Sequence, residues 1–408
     1  MKNLVSPKSL FLIVSILLFA GAAALPAAGS PEVRFAPKPD HVILFIIDAI
    51  SYKVWDKTDL PNLEQKAAEG TLVREVHLPP AAHPRVGAYA ELHTCSIPNP
   101  ILMSGTIFID KSTKYLSQQF FPRMVTAFSS NTISYQSLNI GYHYSYQNEG
   151  ADREAIEMAE VFLKAARPAF MRIHLQDTGS GGQQSMTAES EPWKNDIWHP
   201  GSPYLSNLKT ADGLLGEFVE AVRSEGILEK TAMIIVGDHG QADTGWHPLE
   251  IADSSVTTMV LWGAGIRPGV ILDYAELIDV APTISALMGT APLQTAVGRV
   301  IIEALLSPPE EHKGRKPTSL IKTLNEQFRA FRETEREAAY LLEKNRSPEQ
   351  GKHFNRLNRI KQNFYDIHRF SEWPRFHSME ELVQNNEKAL KLLQEFRKTI
   401  RTSSFPSQ

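Results

Sequence analysis

Hydrophobic positions along this chain come in blocks of two kinds. Six consecutive large apolar residues, Val42 to Ile47, run straight into Asp48. Met233 to Val236 lead through Gly237 to Asp238 and His239, and PAFMRIHLQD ends on Asp177. Short runs that are apolar at every position, with many β-branched residues, predict strands buried on both faces. TLVREVHLPP and TTMVLWGAGI predict two more. Between them the period lengthens. Ile156, Ala159, Val161 and Leu163 give helical spacing over Ala151 to Ala166, LPNLEQKAAEGT gives a short helix, and Ser202 to Gly226 reads as a helix that starts near a Ser and stops at a Gly. YAELIDVAPTISALMG predicts a helix pair broken at Pro282. Strands alternating with helices over Val42 to Gly289 predict an α/β fold with a mostly parallel sheet covered on both faces.

Two stretches fit neither period. AELHTCSIPNPILMSG, Ala90 to Gly105, reads as a Pro-punctuated loop carrying three hydroxyl or thiol groups, Thr94, Cys95 and Ser96. Gln183 to Gly201 is polar and too long for an ordinary connection, which predicts a lid or substrate loop with Trp193, Trp198 and His199 on it.

From about Pro308 the pattern changes again. Leu382, Asn386, Ala389, Leu393, Phe396 and Ile400 fall at spacings of four and three, the seam of a packed helix. Phe354, Leu357, Ile360, Phe364 and Ile367 form a second seam, and Leu320, Leu324, Phe328 and Phe331 a third. These predict three helices packed on themselves or on the preceding domain, with a homodimer seam or a membrane-surface contact as the alternatives. Charge sharpens that division. From Glu311 onward there are 20 Lys and Arg against 13 Asp and Glu, a surplus of +7 in a chain whose net charge is -4, so the rest carries -11. No general basic surplus argues for nucleic-acid binding. Of 408 residues 42% are apolar and 22% charged, enough for a sizeable core.

The first residues have an address-like order: Lys2 and Lys8, an apolar run from Leu10 to Leu25 broken only by Ser15, and small residues Ala22 to Ala24 within it. That order predicts a secretory signal peptide, hence a periplasmic or extracellular protein, or a membrane-anchored one if the segment stays uncleaved. The expected organisation is therefore a signal segment at 1–30, a catalytic domain at 40–306 and a helical extension at 308–408. Cys95 is the single cysteine, so the chain makes no internal disulfide, and any metal must be held by His, Asp and hydroxyl groups.

In open α/β sheets ligands bind beyond the carboxyl ends of the strands. Asp48, Asp177, Asp238 and His239 all fall at such ends, with His247 nine residues after Asp238. Carboxylates and imidazoles without thiolates suit zinc, manganese or a similar divalent ion. A pair of such ions clamps the attacking and leaving oxygens of a displacement at phosphorus.

IIDA, SIPNPILMSG, LQDTG, GDHGQADTGWHP and IDVAPTISALMG together resemble the alkaline phosphatase superfamily, in its phosphodiesterase, nucleotide pyrophosphatase and sulfatase-like branch. GDHG followed by TG-x-H is the most specific and is similar to the corresponding stretch of GPI ethanolamine phosphate transferases. The resemblance covers about Val42 to Gly289. It implies an alkaline-phosphatase-like sheet and an exported hydrolase of phosphodiesters or phosphomonoesters that uses two zinc ions, or manganese. It implies Asp48, Asp238 and His239 as ligands of one ion, Ser96 as the nucleophile on that ion, and Asp177 and His247 on the other. Asn99 is implied as a donor to a phosphoryl oxygen. Sulfate ester hydrolysis and phosphoethanolamine transfer are the neighbouring activities, and a metal-poor binding protein on the same fold is the reading outside enzymes.

The chain departs from the family pattern twice. The family's His four residues after the third Asp is here Gly181, with His199 the only nearby substitute; without it the second ion keeps two protein ligands. Ser96 stands two residues before Pro98, as the family nucleophile often does, but one residue too close to Gly105. Cys95 has the spacing to that Gly seen in sulfatases without the Pro and Arg expected after it, which leaves Thr94 and Cys95 behind Ser96 as nucleophiles.

Overall fold

The computed structural model describes residues 34–78, 84–94, 114–131, 139–148, 150–248, 251–291, 293, 296, 298–310, 319–344, 349–365 and 378–404. In chain order the elements are β1 (His41–Ile47), α1 (Val54–Lys57), α2 (Pro61–Glu69), β2 (Thr71–His77), α3 (Pro84–Thr94), β3 (Val125–Ser129), β4 (Tyr144–Gln147), α4 (Asp152–Ala166), β5 (Phe170–Leu175), α5 (Asp177–Thr187), α6 (Pro203–Ser224), β6 (Thr231–Val236), β7 (Val256–Gly263), β8 (Val270–Glu276), α7 (Val280–Met288), α8 (Leu320–Lys344), α9 (Gln350–Lys361) and α10 (Met379–Ser404). The strands form one eight-stranded sheet in the order β4-β3-β5-β1-β6-β7-β2-β8. Only β7 runs against its neighbours, β6 and β2. The predicted α/β class and mostly parallel sheet are what the chain adopts.

β1 lies in the middle, paired with β5 on one side and β6 on the other, with Ile46 opposite both His174 and Val236. Residues opposite one another in parallel strands share a face, so Leu44, Ile46, Arg172, His174, Ile234 and Val236 face the same way. Leu44, Ile46, Ile234 and Val236 pack there with Ala88 and Leu92 of α3 and Ile284 and Leu287 of α7. On the other face Phe45 meets Phe218 of α6 with ring centroids 6.3 Å apart. Central position and double burial explain why these runs read so clearly.

Several elements differ from expectation. The proline at 282 does not break a helix: α7 runs unbroken from Val280 to Met288, because Pro282 is its third residue, where no backbone N–H is needed. The residues before it, expected as a helix, form β8 and a single 3-10 turn. Thr94 ends a helix, α3, where a loop was expected. The start of the expected lid, Gln183 to Thr187, belongs to α5. Val161 is not a core position but 58% exposed, while Ile156, Ala159 and Leu163 are buried as their spacing predicts.

In the C-terminal region all six seam residues of α10, Leu382 to Ile400, are buried. Ala389, Leu393, Phe396 and Ile400 meet Phe328 and Phe331 of α8, Leu357 and Ile360 of α9, and Phe364 in one core, while Leu382 packs with Leu324 of α8 and Tyr365. α8 also touches the sheet domain, since Asn325 Nδ2 donates to the Leu78 carbonyl (3.0 Å) and Lys322 pairs with Glu75 (2.9 Å).

Candidate metal centre

Three of the predicted ligands come together. One ligand atom from each of Asp48, Asp238 and His239 lies within 4.8 Å of the other two, and all three residues are fully buried. The backbone explains how. Asp48 directly follows β1 and its N–H donates to the Leu175 carbonyl of β5 (2.8 Å). Ala49 then takes a left-handed φ of 57°, and its N–H donates to Asp238 Oδ1 (3.0 Å). Tyr204 of α6 fixes that turn, donating from its hydroxyl to the Ala49 carbonyl (3.1 Å) and accepting from the Ser51 N–H (3.0 Å). Asp238 Oδ1 also accepts from the His239 N–H (3.0 Å).

The donor set fits a divalent cation. His239 Nδ1 lies 2.8 Å from the Gly240 carbonyl oxygen, which can only accept, so Nδ1 carries the proton. The lone pair on Nε2 then faces Asp238 Oδ2 at 3.6 Å and Asp48 Oδ1 at 3.9 Å. Three acceptors converging in a buried space repel one another unless a cation lies among them. Ligands of one ion with bonds of about 2.0–2.2 Å stand roughly 3–4 Å apart, as His239 Nε2 does from each carboxylate. A carbonyl holding the far nitrogen is also the usual way a metal-bound imidazole is oriented.

His247 lies beside this trio, with its ring centroid 4.5 Å from that of His239. The Trp246 indole stacks on the His247 ring (4.1 Å, 26°), from a residue held at a left-handed φ of 62°.

Asp177 and His199, two further predicted ligands, make other contacts. Asp177 Oδ2 accepts from the Asp152 N–H at the start of α4 (3.1 Å), and Asp152 Oδ1 accepts in return from the N–H groups of Gln176 and Asp177. Burial, with the Asp177 charge behind it, pushes the Asp152 carboxyl up to about 7. His199 is half-buried, with Nδ1 accepting from the Gly201 N–H (3.0 Å). Among the described residues no group of three metal-ligand side chains includes Asp177, His199 or His247. Gly181 is packed shut: a Cβ there would lie 2.7 Å from the backbone of Pro203 and Tyr204 at the start of α6. α5 reaches the centre at Gly179 instead, where a Cβ would stand 1.7 Å from Asp48 Oδ1.

Two features of the site were not read from the sequence. His174 of β5 is fully buried, and its Nε2 lies 3.5 Å from Asp48 Oδ2. The signal was faint: β5, FMRIHL, carries two polar residues, Arg172 and His174, and only strand pairing tells which of them meets Asp48. The second is the direction of α3. The Tyr89 ring meets the His174 ring (5.5 Å), whereas His93 hydrogen-bonds Arg172, whose guanidinium lies over Tyr142 (5.0 Å) at the level of Phe170. α3 therefore descends from the carboxyl toward the amino end of β5. Thr94 is buried, five residues or about 7–8 Å further down than Tyr89. Burial, and then the neighbouring Arg172 charge, hold His93 well below the usual imidazole range, so it is neutral. Cys95, Ser96 and Asn99 lie outside the described residues.

Residues 104–290 match the family model described as Sulfatase. A GPI ethanolamine phosphate transferase 1 of Gibberella zeae is 27% identical over 155 residues, which take in 33% of this chain and 16% of that protein; the chain thus spans a small part of its curated relative. Among solved structures, a phosphonate monoester hydrolase from Silicibacter pomeroyi superposes with a TM-score of 0.53 at 13% identity, covering 68% of this chain and 78% of that one. A 2-O GAG sulfatase gives 0.52 at 14% identity, covering 69% and 76%. At such identities the likeness is one of fold.

Proposed function

From a chain with the fold of the alkaline phosphatase superfamily and a sulfatase-like segment, we propose an exported, metal-dependent hydrolase of phosphodiesters or phosphomonoesters. The observation that carries this is the buried trio Asp48, Asp238 and His239 at the carboxyl ends of β1 and β6. A divalent ion held there would supply Lewis acidity toward an ester oxygen and lower the pKa of a hydroxyl nucleophile. The chain's own part is to fix that charge. Asp238 is locked by two backbone N–H groups and His239 by the Gly240 carbonyl, so little reorganisation accompanies the reaction.

Ser96 is the proposed nucleophile, its oxygen forming the new bond to phosphorus as the ester alkoxide departs with a proton. Water then hydrolyses the seryl phosphate and restores the hydroxyl. Ser96 stands two residues past Thr94, and two residues span at most about 7 Å, so this role requires the chain to turn back toward the strand ends directly after α3. Asn99 is the proposed donor to a phosphoryl oxygen. The proposal rests on one ion, zinc or manganese; Asp177, His199 and His247 would have to rearrange to hold another. Export is proposed from the Lys2 to Ala24 segment, and the amino-terminal sequence of secreted protein tests it.

The experiment is metal analysis of purified protein together with turnover of aryl phosphate, bis-aryl phosphate and aryl sulfate. Bound zinc or manganese with phosphate ester cleavage is expected, lost in Asp238→Asn and in Ser96→Ala. Full activity in Ser96→Ala overturns the nucleophile, and absence of both metal and turnover overturns the enzyme. The sulfatase-model match favours a second reading, sulfate ester hydrolysis, and the same panel separates it. Transfer of phosphoethanolamine, suggested by the fungal relative, would appear as activity only with a lipid donor and an acceptor hydroxyl.

A further inference from the structure

Asp48 presents its two oxygens to two different imidazoles. Oδ1 faces His239 Nε2 at 3.9 Å, inside the trio, and Oδ2 faces His174 Nε2 at 3.5 Å, outside it. His174 is not part of the group whose ligand atoms lie within 4.8 Å of one another, so it does not sit on the same ion position. It meets the Asp48 carboxylate from outside the trio.

We propose that His174 is the positioning residue of Asp48, holding the carboxylate in the orientation that directs Oδ1 at the metal. Ile46 and His174 are opposite in register on adjacent parallel strands, so the imidazole reaches diagonally to the residue just beyond the end of β1. The Tyr89 ring meets the imidazole in a T-shaped contact (5.5 Å, 75°) and confines its plane from the α3 side. Both His174 and Asp48 are fully buried, so no water competes for the contact. A free carboxylate turns about its last side-chain bond, and pinning one oxygen selects the rotamer that offers the other. Groups in this outer position commonly change metal affinity by 10–100-fold.

The inference rests on the metal-centre reading, and the test keeps the two apart. The full chain would be prepared as wild type, His174→Phe, His174→Gln and Asp238→Asn, and the affinity for Zn2+ and for Mn2+ measured by competition with a chromogenic chelator. Melting of the metal-free proteins would be followed in parallel. His174→Phe keeps a planar ring for Tyr89 but loses the contact with Asp48; it is expected to bind metal about 10–100-fold more weakly with metal-free melting near wild type. His174→Gln places an amide nitrogen near the Nε2 position and is expected to recover most of the affinity. Where substrate is turned over, the loss in His174→Phe should fall with rising metal concentration, as a folding defect would not. Wild-type affinity in a folded His174→Phe overturns the positioning role. If His174→Phe fails to fold, His174→Gln decides: affinity no better than that of Asp238→Asn overturns the role, and near-wild-type affinity supports it. Wild-type affinity in Asp238→Asn overturns the metal centre itself, whatever His174 does.

Discussion

Gly179 shows how little room surrounds the centre. A methyl group there would stand 1.7 Å from Asp48 Oδ1, a separation no non-bonded pair of heavy atoms tolerates, so either α5 or the carboxylate must move. Asp48 is the softer of the two, being held by side-chain contacts while α5 is held along its backbone. Gly179→Ala is therefore expected to fold but to lose at least tenfold in metal affinity, which the same chelator competition reads. Asp48, Asp238 and His239 were legible in the sequence because each closes an apolar run, and a central strand leaves its terminal side chain nowhere to go but the ligand face. Asp177 closes such a run too, but it is also the first residue of α5, and the helix turns its carboxylate onto the start of α4. His174 was illegible because its meaning depends on strand pairing, which a lone strand does not contain.

Elements were legible in proportion to their periodicity. β1, β5, β6, α6 and the seams of α8 and α10 declared themselves, as did the α9 seam as far as Ile360, with Phe364 beyond the end of that helix and Ile367 outside the described residues, whereas α5 did not. Its sequence, DTGSGGQQSMT, holds three glycines, each costing a helix about 1 kcal/mol relative to Ala. What they admit is close approach, of the α6 backbone at Gly181, of the Asp48 carboxylate at Gly179 and of the Gln241 side chain at Gly182, which no local pattern reports. The junction of β8 and α7 was misread in a way that hid chemistry. Asp279 is buried there, its oxygens accepting from the N–H groups of Glu276 (3.0 Å) and Arg299 (2.8 Å). Burial, with the Glu276 charge adding to it, pushes the Asp279 carboxyl up to about 7. An acid with a raised folded pKa binds a proton that the unfolded chain has released, so its contribution is full below about 4 and is lost as pH rises toward 7. Glu276 and Glu91 are raised by burial in the same direction. The unfolding free energy should therefore slope downward between about pH 4 and 7, at up to about 1.4 kcal/mol per pH unit for each proton involved. Urea titrations of Asp279→Asn across that range should show a shallower slope; an unchanged slope would assign the effect to the other carboxyls.

For the molecule as a whole, residues Phe35–Gln408 form one compact unit, and among the described residues no helix is long and apolar enough to cross a membrane. Two contacts through which α8 meets the sheet domain differ in weight. Lys322 and Glu75 are each about a third exposed, so their ion pair contributes under about 1 kcal/mol. Asn325 and Leu78 are buried, and Asn325→Ala leaves the Leu78 carbonyl without that donor, a loss of about 1–3 kcal/mol. Asn325→Ala is expected to lower the urea midpoint with a single transition kept, and Lys322→Ala to leave it nearly unmoved. Two separated transitions would mean that the helices unfold on their own. The seams were readable because three helices sharing one core repeat the same spacing, but where α8 docks was not, since a buried Asn on a helix face names no partner. The backbone of Pro203 against Gly181 sets a distance of another kind. Placing a histidine at 181 would drive an imidazole into the start of α6, so a chain with a ligand at that position is not a single-substitution neighbour of this one. A path to it begins with residues inserted ahead of Pro203, which would let α6 retreat before any ligand arrives.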